Sequence, residues 1–147
     1  MSFSMNIKKL NDKATVPTYG SEFAAGADLY ACEESAVEIA PGQTRLIHTG
    51  IAMEIPEGLV GLVYARSGLA SKRGLAPANK VGVIDSDYRG EIMVALHNHG
   101  DAVQTVEAGE RIAQIVFAPY YAAEFTVVDE LCDTARGEGG FGSTGRK

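Results

Sequence analysis

Turn signals recur so often along this chain that long helices have almost nowhere to form. Gly, Pro, Asn and acidic residues cut it into apolar or alternating runs of about four to eight residues, with a break roughly every eight to twelve. A parallel βαβ fold needs a longer helical segment between successive strands. The spacing therefore points to an all-β sandwich or barrel. Val37 and Ile39 alternate in SAVEI. Ile51, Met53 and Ile55 share a face, and Pro56–Gly58 turns the chain into LVGLVYA. Ile92, Val94 and Leu96 line one face of a later run, with Met93, Ala95 and His97 on the other. RIAQIVF and FTVV read as further strands. One segment reads as helix, Ser67–Arg73, about two turns long, with Ser67 placed to cap it.

With 147 residues the chain has room for one domain, and an apolar fraction of 46% supports a real core. The net charge of −6 argues against a protein that coats a nucleic-acid polymer. The charge is uneven, however. Between Arg66 and Arg89 five basic residues face only Asp85 and Asp87, a local excess that suits a small anion. Cys32 and Cys132 form neither a CxxC pair nor a disulfide-dense pattern. The opening MSFSMNIKKL has no signal-peptide core, and the longest uncharged stretch, Ile112–Ala123, is too short for a membrane span and contains Pro119. A soluble protein of a reducing compartment, the cytoplasm, with no membrane partner is the expectation.

Five segments carry chemistry. The first is VGVIDSDYRGEIMVAL, residues 81–96, two apolar runs around a six-residue turn, which reads as a hairpin. Asp85 follows its apolar run directly, so it should sit where burial begins, placed to hold a water or a sugar hydroxyl and to act as a base. Tyr88 offers a flat face beside it. The second is ARSGLASKRGL, where Arg66, the Ser67 hydroxyl and the start of the short helix form an anion-binding set. The third is the tail from Arg136, RGEGGFGSTGRK, with five glycines between Gly137 and Gly145 and one aromatic, Phe141. It lacks the lysine, the preceding strand and the following helix of a P-loop, yet its amides and the Ser143 and Thr144 hydroxyls can cradle phosphate. The fourth is AAGADLY, which carries Asp28 into a strand. The fifth is GERIAQ, which places Arg111 and Gln114 on a run that otherwise reads as buried, where each needs a partner. His97 and His99 form H-x-H, but no third ligand accompanies them and zinc is not expected.

Together the five segments resemble the trimeric deoxyuridine triphosphatases (dUTPases), in order and at family spacing, from AGADLYA to GFGSTG. That resemblance implies a distorted jelly-roll β-barrel over residues 1–133 and a flexible Gly-rich C-terminal arm over 134–147 that closes on an active site. It implies a homotrimer with sites at subunit interfaces, dUTP as substrate, and hydrolysis to dUMP and pyrophosphate with Mg²⁺. This reaction supplies dUMP and keeps uracil out of DNA. By the same resemblance Asp28 contacts the Mg²⁺ shell through water. Arg66, Ser67 and Gly68 bind phosphate. Asn79, Val83, Ile84 and Asp85 form the stretch that reads uracil and the sugar, and Asp85 activates the water. Tyr88 packs under the deoxyribose, and Met93 lies near the base. Gln114, supported by Arg111, orders the water and the phosphates. Arg136, Phe141, Gly142, Ser143 and Thr144 belong to the arm, with Phe141 stacking on uracil.

Two other readings follow from the same resemblance. A dCTP deaminase shares the fold but carries a catalytic Glu where this chain has Ala95. A non-catalytic nucleotide-binding regulator would not need Asp85 and the arm together, and both are present. One departure from the family pattern is Ala65, where Pro is usual.

Overall fold

The computed structural model describes residues 2–141. Twelve strands and one helix follow in chain order. They are β1 (Asn6–Lys9), β2 (Thr18–Tyr19), β3 (Ala27–Tyr30), β4 (Val37–Ile39), β5 (Thr44–His48), β6 (Ile51–Glu54), β7 (Leu59–Tyr64), α1 (Ser67–Arg73), β8 (Leu75–Pro77), β9 (Gly82–Ile84), β10 (Met93–Asn98), β11 (Gln104–Val106) and β12 (Arg111–Pro119). The expected all-β fold with one short helix is what forms. Every ladder is antiparallel, and among the described residues the strands group into four sheets: β1-β6, β5-β10-β8, β11-β4 and β2-β3-β12-β7-β9. No described helix is long and apolar enough to cross a membrane.

The sheets meet on one core. Leu29, Ile47, Ile51, Leu96, Ile112 and Ile115 are sealed from solvent. Alternation puts them there, because successive side chains of a strand point to opposite faces. Asn98, fully buried among them, donates to the Ile39 and Ala102 carbonyls and accepts from the Gly100 amide. A buried polar side chain with its partners in place stitches three segments together.

β12 is the axis of the largest sheet. It pairs with β3 on one side and β7 on the other, so Gln114 lies between Asp28 and Tyr64. The ladder with β3 shifts register between Arg111 and Ala113. Such an irregularity lets neighbouring residues leave strict alternation.

Three sequence expectations are corrected. The runs flanking Asp85–Gly90 do not form a hairpin ladder with each other: β9 pairs with β7, and β10 pairs with β5 and β8. The turn therefore bridges two sheets. Local turn chemistry does not reveal which strand each run will choose. Phe125–Val128 is not a strand in this chain; Phe125 and Val127 are almost wholly exposed. An alternating run needs a neighbouring strand, and no described strand pairs with this one. Ser67 is not the N-cap of α1. Arg66 takes that position in an extended conformation, with no side-chain cap, and Ser67 is the first helical residue. The helix stops at Gly74, whose left-handed backbone (φ 65°) donates its amide to the Leu69 carbonyl.

Candidate active site

Part of the residue set named from the sequence gathers into two clusters at opposite ends of the β7–β9 ladder. The first lies where β7 runs into α1. Asp28, on the buried face of β3, accepts from Arg66 Nε at 2.8 Å and from Arg111 Nη1 at 3.2 Å. Only 12% of the Asp28 side chain is accessible, against 26% for Arg66 and 50% for Arg111. One carboxylate thus anchors two guanidinium groups, and Arg66 spends its Nε while its other N–H groups remain for a further anion. The partner that Arg111 needed is Asp28. Gln114 donates its Nε2 to the Ala65 carbonyl at 2.9 Å. A Cβ at Gly26 would lie 2.3 Å from Gln114 Oε1, so any larger residue there would force Gln114 to shift. Gln114 is clamped between Gly26 and the turn that presents Arg66. Ala65 contributes its carbonyl to this contact, a group that Pro would also carry.

Asp28 was expected to reach Mg²⁺ through water. Its charge is met by two guanidinium groups, and among the described residues no three His, Cys, Asp or Glu side chains gather as a cation cage. The donor set fits Mg²⁺ only in the way one carboxylate can serve a hydrated ion already held by phosphates.

The second cluster is a cleft of about 230 Å³ lined by Leu46, Val83, Ile84, Asp85, Tyr88, Glu91 and Met93. Five of these were singled out from the sequence. Tyr88 donates its hydroxyl to the Glu91 carbonyl at 2.8 Å, and its amide reaches the Asp85 carbonyl at 3.2 Å. The ring lies directly over Gly90, where a Cβ would come within 2.4 Å of the hydroxyl oxygen. Asp85 is exposed at the rim, and no hydrogen bond among the described residues engages its carboxylate. It also borders a second, open cleft of about 560 Å³, with Glu57, Asp87, Arg89 and Tyr120. Asn79 lies by the start of β9, its Nδ2 near Gly82.

The clusters are separate within one chain. Gly61 of β7 pairs with Ile84, while Tyr64 pairs with Gln114. Three residues along a strand is about 10 Å, and the chain leaves Ile84 for Asp85 in the direction away from Tyr64. In the arm, Arg136 Nε donates to the Gly139 carbonyl and Phe141 is fully exposed. Neither lines the cleft. Gly142, Ser143 and Thr144 lie outside the described residues. Glu91, Leu46, Gly26 and Gly90 were missed by the sequence reading. The two glycines carried a signal in the motifs AAGAD and DYRG, but it reads as turn chemistry until the side chain above each is placed.

Comparisons with known proteins agree on one family. The dUTPase family model matches residues 12–145. A deoxyuridine 5'-triphosphate nucleotidohydrolase from Desulfitobacterium hafniense is 56% identical over 136 residues, covering 91% of this chain and 90% of that protein. One of the same name from Syntrophotalea carbinolica is 47% identical and covers 98% of both. Among solved structures, the Staphylococcus bacteriophage 80alpha dUTPase with dUPNHPP superposes with a TM-score of 0.91 at 30% identity, over 99% of this chain and all of that one. A dUTPase from phage phi11 of S. aureus, whose structure concerns coordination of a structural Mg(II) ion, gives 0.79 at 25% identity, over 88% of this chain and 99% of that one.

Proposed function

This chain belongs to the dUTPase family, and from that premise we propose that it hydrolyses dUTP to dUMP and pyrophosphate in the cytoplasm, as a homotrimer. The observation that carries the reading is the cleft that brings Val83, Ile84, Tyr88 and Met93 together around the unengaged carboxylate of Asp85.

Asp85 accepts a proton from, and orients, the water that attacks the α-phosphorus. An exposed carboxylate with no competing partner suits that role. The backbone of Val83 and Ile84 reads the uracil edge. Tyr88, held over Gly90, fills the space a ribose 2'-hydroxyl would need. Arg66, oriented by Asp28, neutralises charge on the phosphates with its remaining N–H groups, joined by the Ser67 and Gly68 region. Gln114 holds the Ala65 turn in place and so sets where Arg66 stands. Asp28 would serve the hydrated shell of a Mg²⁺ ion on the triphosphate, and that ion would supply charge neutralisation. Arg136, Phe141, Gly142, Ser143 and Thr144 close over the nucleotide, with Phe141 stacking on uracil for about 1–3 kcal/mol. The boundary near 133 between body and arm is part of this proposal.

Two features support assembly from several copies. The cleft of about 230 Å³ is smaller than most ligand pockets, and Arg66 is not among the residues that line it. The segment after β12 exposes Tyr121, Phe125, Val127 and Leu131, an apolar load that monomers rarely leave in water. The deaminase reading finds no carboxylate at Ala95. The deciding experiment is a panel of deoxynucleotides with Mg²⁺, scored for pyrophosphate and ammonia, beside a light-scattering mass. Pyrophosphate from dUTP alone and a trimer mass are expected. Ammonia from dCTP, or no pyrophosphate where dUTP binding is measurable, overturns the reading.

A further inference from the structure

The Asp85–Tyr88 cleft has a wall that the reaction does not use. Glu91, at the end of the loop that carries both residues, sets its carboxylate on the turn between β5 and β6. One carboxylate oxygen accepts the Gly50 amide at 2.8 Å, and the other meets His48 Nδ1 at 2.9 Å. The same residue's carbonyl accepts the Tyr88 hydroxyl. Beside it, the Ile92 amide reaches the Ile51 carbonyl at 2.8 Å, and Thr49 Oγ1 donates to the Ile92 carbonyl. The His48–Ile51 turn is thus the platform against which the loop is set, and Glu91 is where side chain and main chain of that attachment meet.

We propose that Glu91 is a positioning residue of the nucleoside cleft: its carboxylate ties the loop bearing Asp85 and Tyr88 to the His48–Gly50 turn, and the charge on His48 sets the strength of that tie. The inference rests on the hydrolase reading above. Burial makes the tie matter. Glu91 is only 22% accessible, so its attachment is shielded, whereas His48 is half exposed and exchanges protons freely with solvent.

The hydrogen bond to Glu91 raises the His48 pKa above its ordinary value, against an opposing effect of burial, with further help from the Glu91 and Glu33 charges. Glu33 accepts the His48 amide from the loop after β3, and Glu34 is paired with Lys13 at 3.0 Å. The Cys32 thiol is pushed up by burial and the nearby carboxylates, so it stays neutral when His48 titrates. Asp85 borders the same cleft as Glu91 from the other side. With the folded pKa raised, the tie is strongest below the ordinary His value and weakens as pH rises through the folded one.

Glu91→Gln inverts this dependence. A Gln amide accepts the Gly50 N–H and donates to neutral His48, but it meets protonated His48 donor against donor. The test is KM and kcat for dUTP from pH 6 to 9 in the wild type, Glu91→Gln and His48→Asn, together with hydrogen exchange of the Gly50 amide. Wild-type KM is expected to rise about fivefold across the His48 titration, Glu91→Gln to show the opposite slope, and His48→Asn to flatten it, with kcat moving less than KM. Wild-type KM profiles and Gly50 exchange in Glu91→Gln overturn the proposal. Should Glu91→Gln fail to fold, the half-exposed position 48 still decides: an unchanged KM slope in His48→Asn overturns it. If the wild type releases no pyrophosphate from dUTP, the hydrolase reading fails by itself, while Gly50 exchange that follows the His48 titration still upholds the tie.

Discussion

The two ends of the β7–β9 ladder are built on opposite plans. At one end the largely buried Asp28 carboxylate holds both Arg66 and Arg111, and Gln114 is tied to the Ala65 carbonyl. At the other end Asp85 stands at an open cleft with no hydrogen bond among the described residues, and Tyr88 hangs over a glycine. The closed end resists change and costs stability when altered. The open end should cost little stability when altered, and it carries the group proposed to react. A group that must take a proton gains from having no partner, whereas a group that must hold a position gains from having several.

The largest effect is expected where the open end loses its carboxylate. Asp85→Asn keeps the shape and removes the proposed base. Turnover of dUTP should fall by about 10²–10⁴, with nucleotide binding and melting temperature close to wild type. Single-turnover kinetics with a binding titration measures both. Near-normal turnover would remove Asp85 as the base, and a large fall in stability would show that the open end is also structural.

Deleting residues 134–147 is expected to come next, with hydrolysis falling about a hundredfold or more through loss of stacking and phosphate contacts. The body should keep its fold. Between Thr134 and Phe141 the described hydrogen bonds stay local: Gly137 to Thr134, Gly139 to Arg136, and Arg136 to Gly139. Circular dichroism and scattering mass on the truncated protein check this, and unfolding would make the arm structural.

The closed end predicts the reverse pattern. Asp28→Asn leaves two guanidinium groups side by side without their shared anion. Losing a partner from a fully buried pair costs about 3–5 kcal/mol, and the exposure of Arg111 reduces that to roughly 1–3 kcal/mol here. Denaturant unfolding should register this loss, and activity should fall less than in Asp85→Asn. Unchanged stability would break the contrast between the two ends.

How legible each end was in the sequence follows from the same difference. Strands announce themselves by alternation, and β4, β7, β10 and β12 fall where it points. Partner choice is not local. Nothing in VGVIDSDYRGEIMVAL says that β9 will join β7 while β10 joins β5, because pairing is decided by core faces contributed from elsewhere in the chain. Likewise FTVV carries strand propensity, yet a strand needs a neighbour. Asp85 and Tyr88 could be picked out because their chemistry is written in residue type. The double anchorage of Asp28 could not, since Arg66 and Arg111 lie far from it in sequence. Glu91 gave no signal at all: a glutamate after a turn glycine is ordinary until His48 and Gly50 are set against it.

Two glycines sharpen the comparison with the smallest change available, one methyl group each. Neither has a left-handed backbone, so the methyl acts through space and not through backbone strain. At Gly26 it would strike Gln114 at Oε1, with the Gln114 Cβ also at 3.2 Å. Gln114 cannot swing aside without leaving the Ala65 carbonyl, so Gly26→Ala should cost about 1–3 kcal/mol as overpacking. At Gly90 the three atoms nearest the methyl all belong to Tyr88, whose ring borders an open cleft and can give way at the cost of one hydrogen bond to Glu91. Gly90→Ala should therefore cost no more than about 1 kcal/mol, while the discrimination of dUTP against UTP relaxes because the ring leaves its place under the sugar. Unfolding curves and paired kcat/KM values for the two nucleotides separate these outcomes. Equal stability losses at both glycines would mean that the cleft is as tightly packed as the ion-pair cluster, and the division between a holding end and a reacting end would fail.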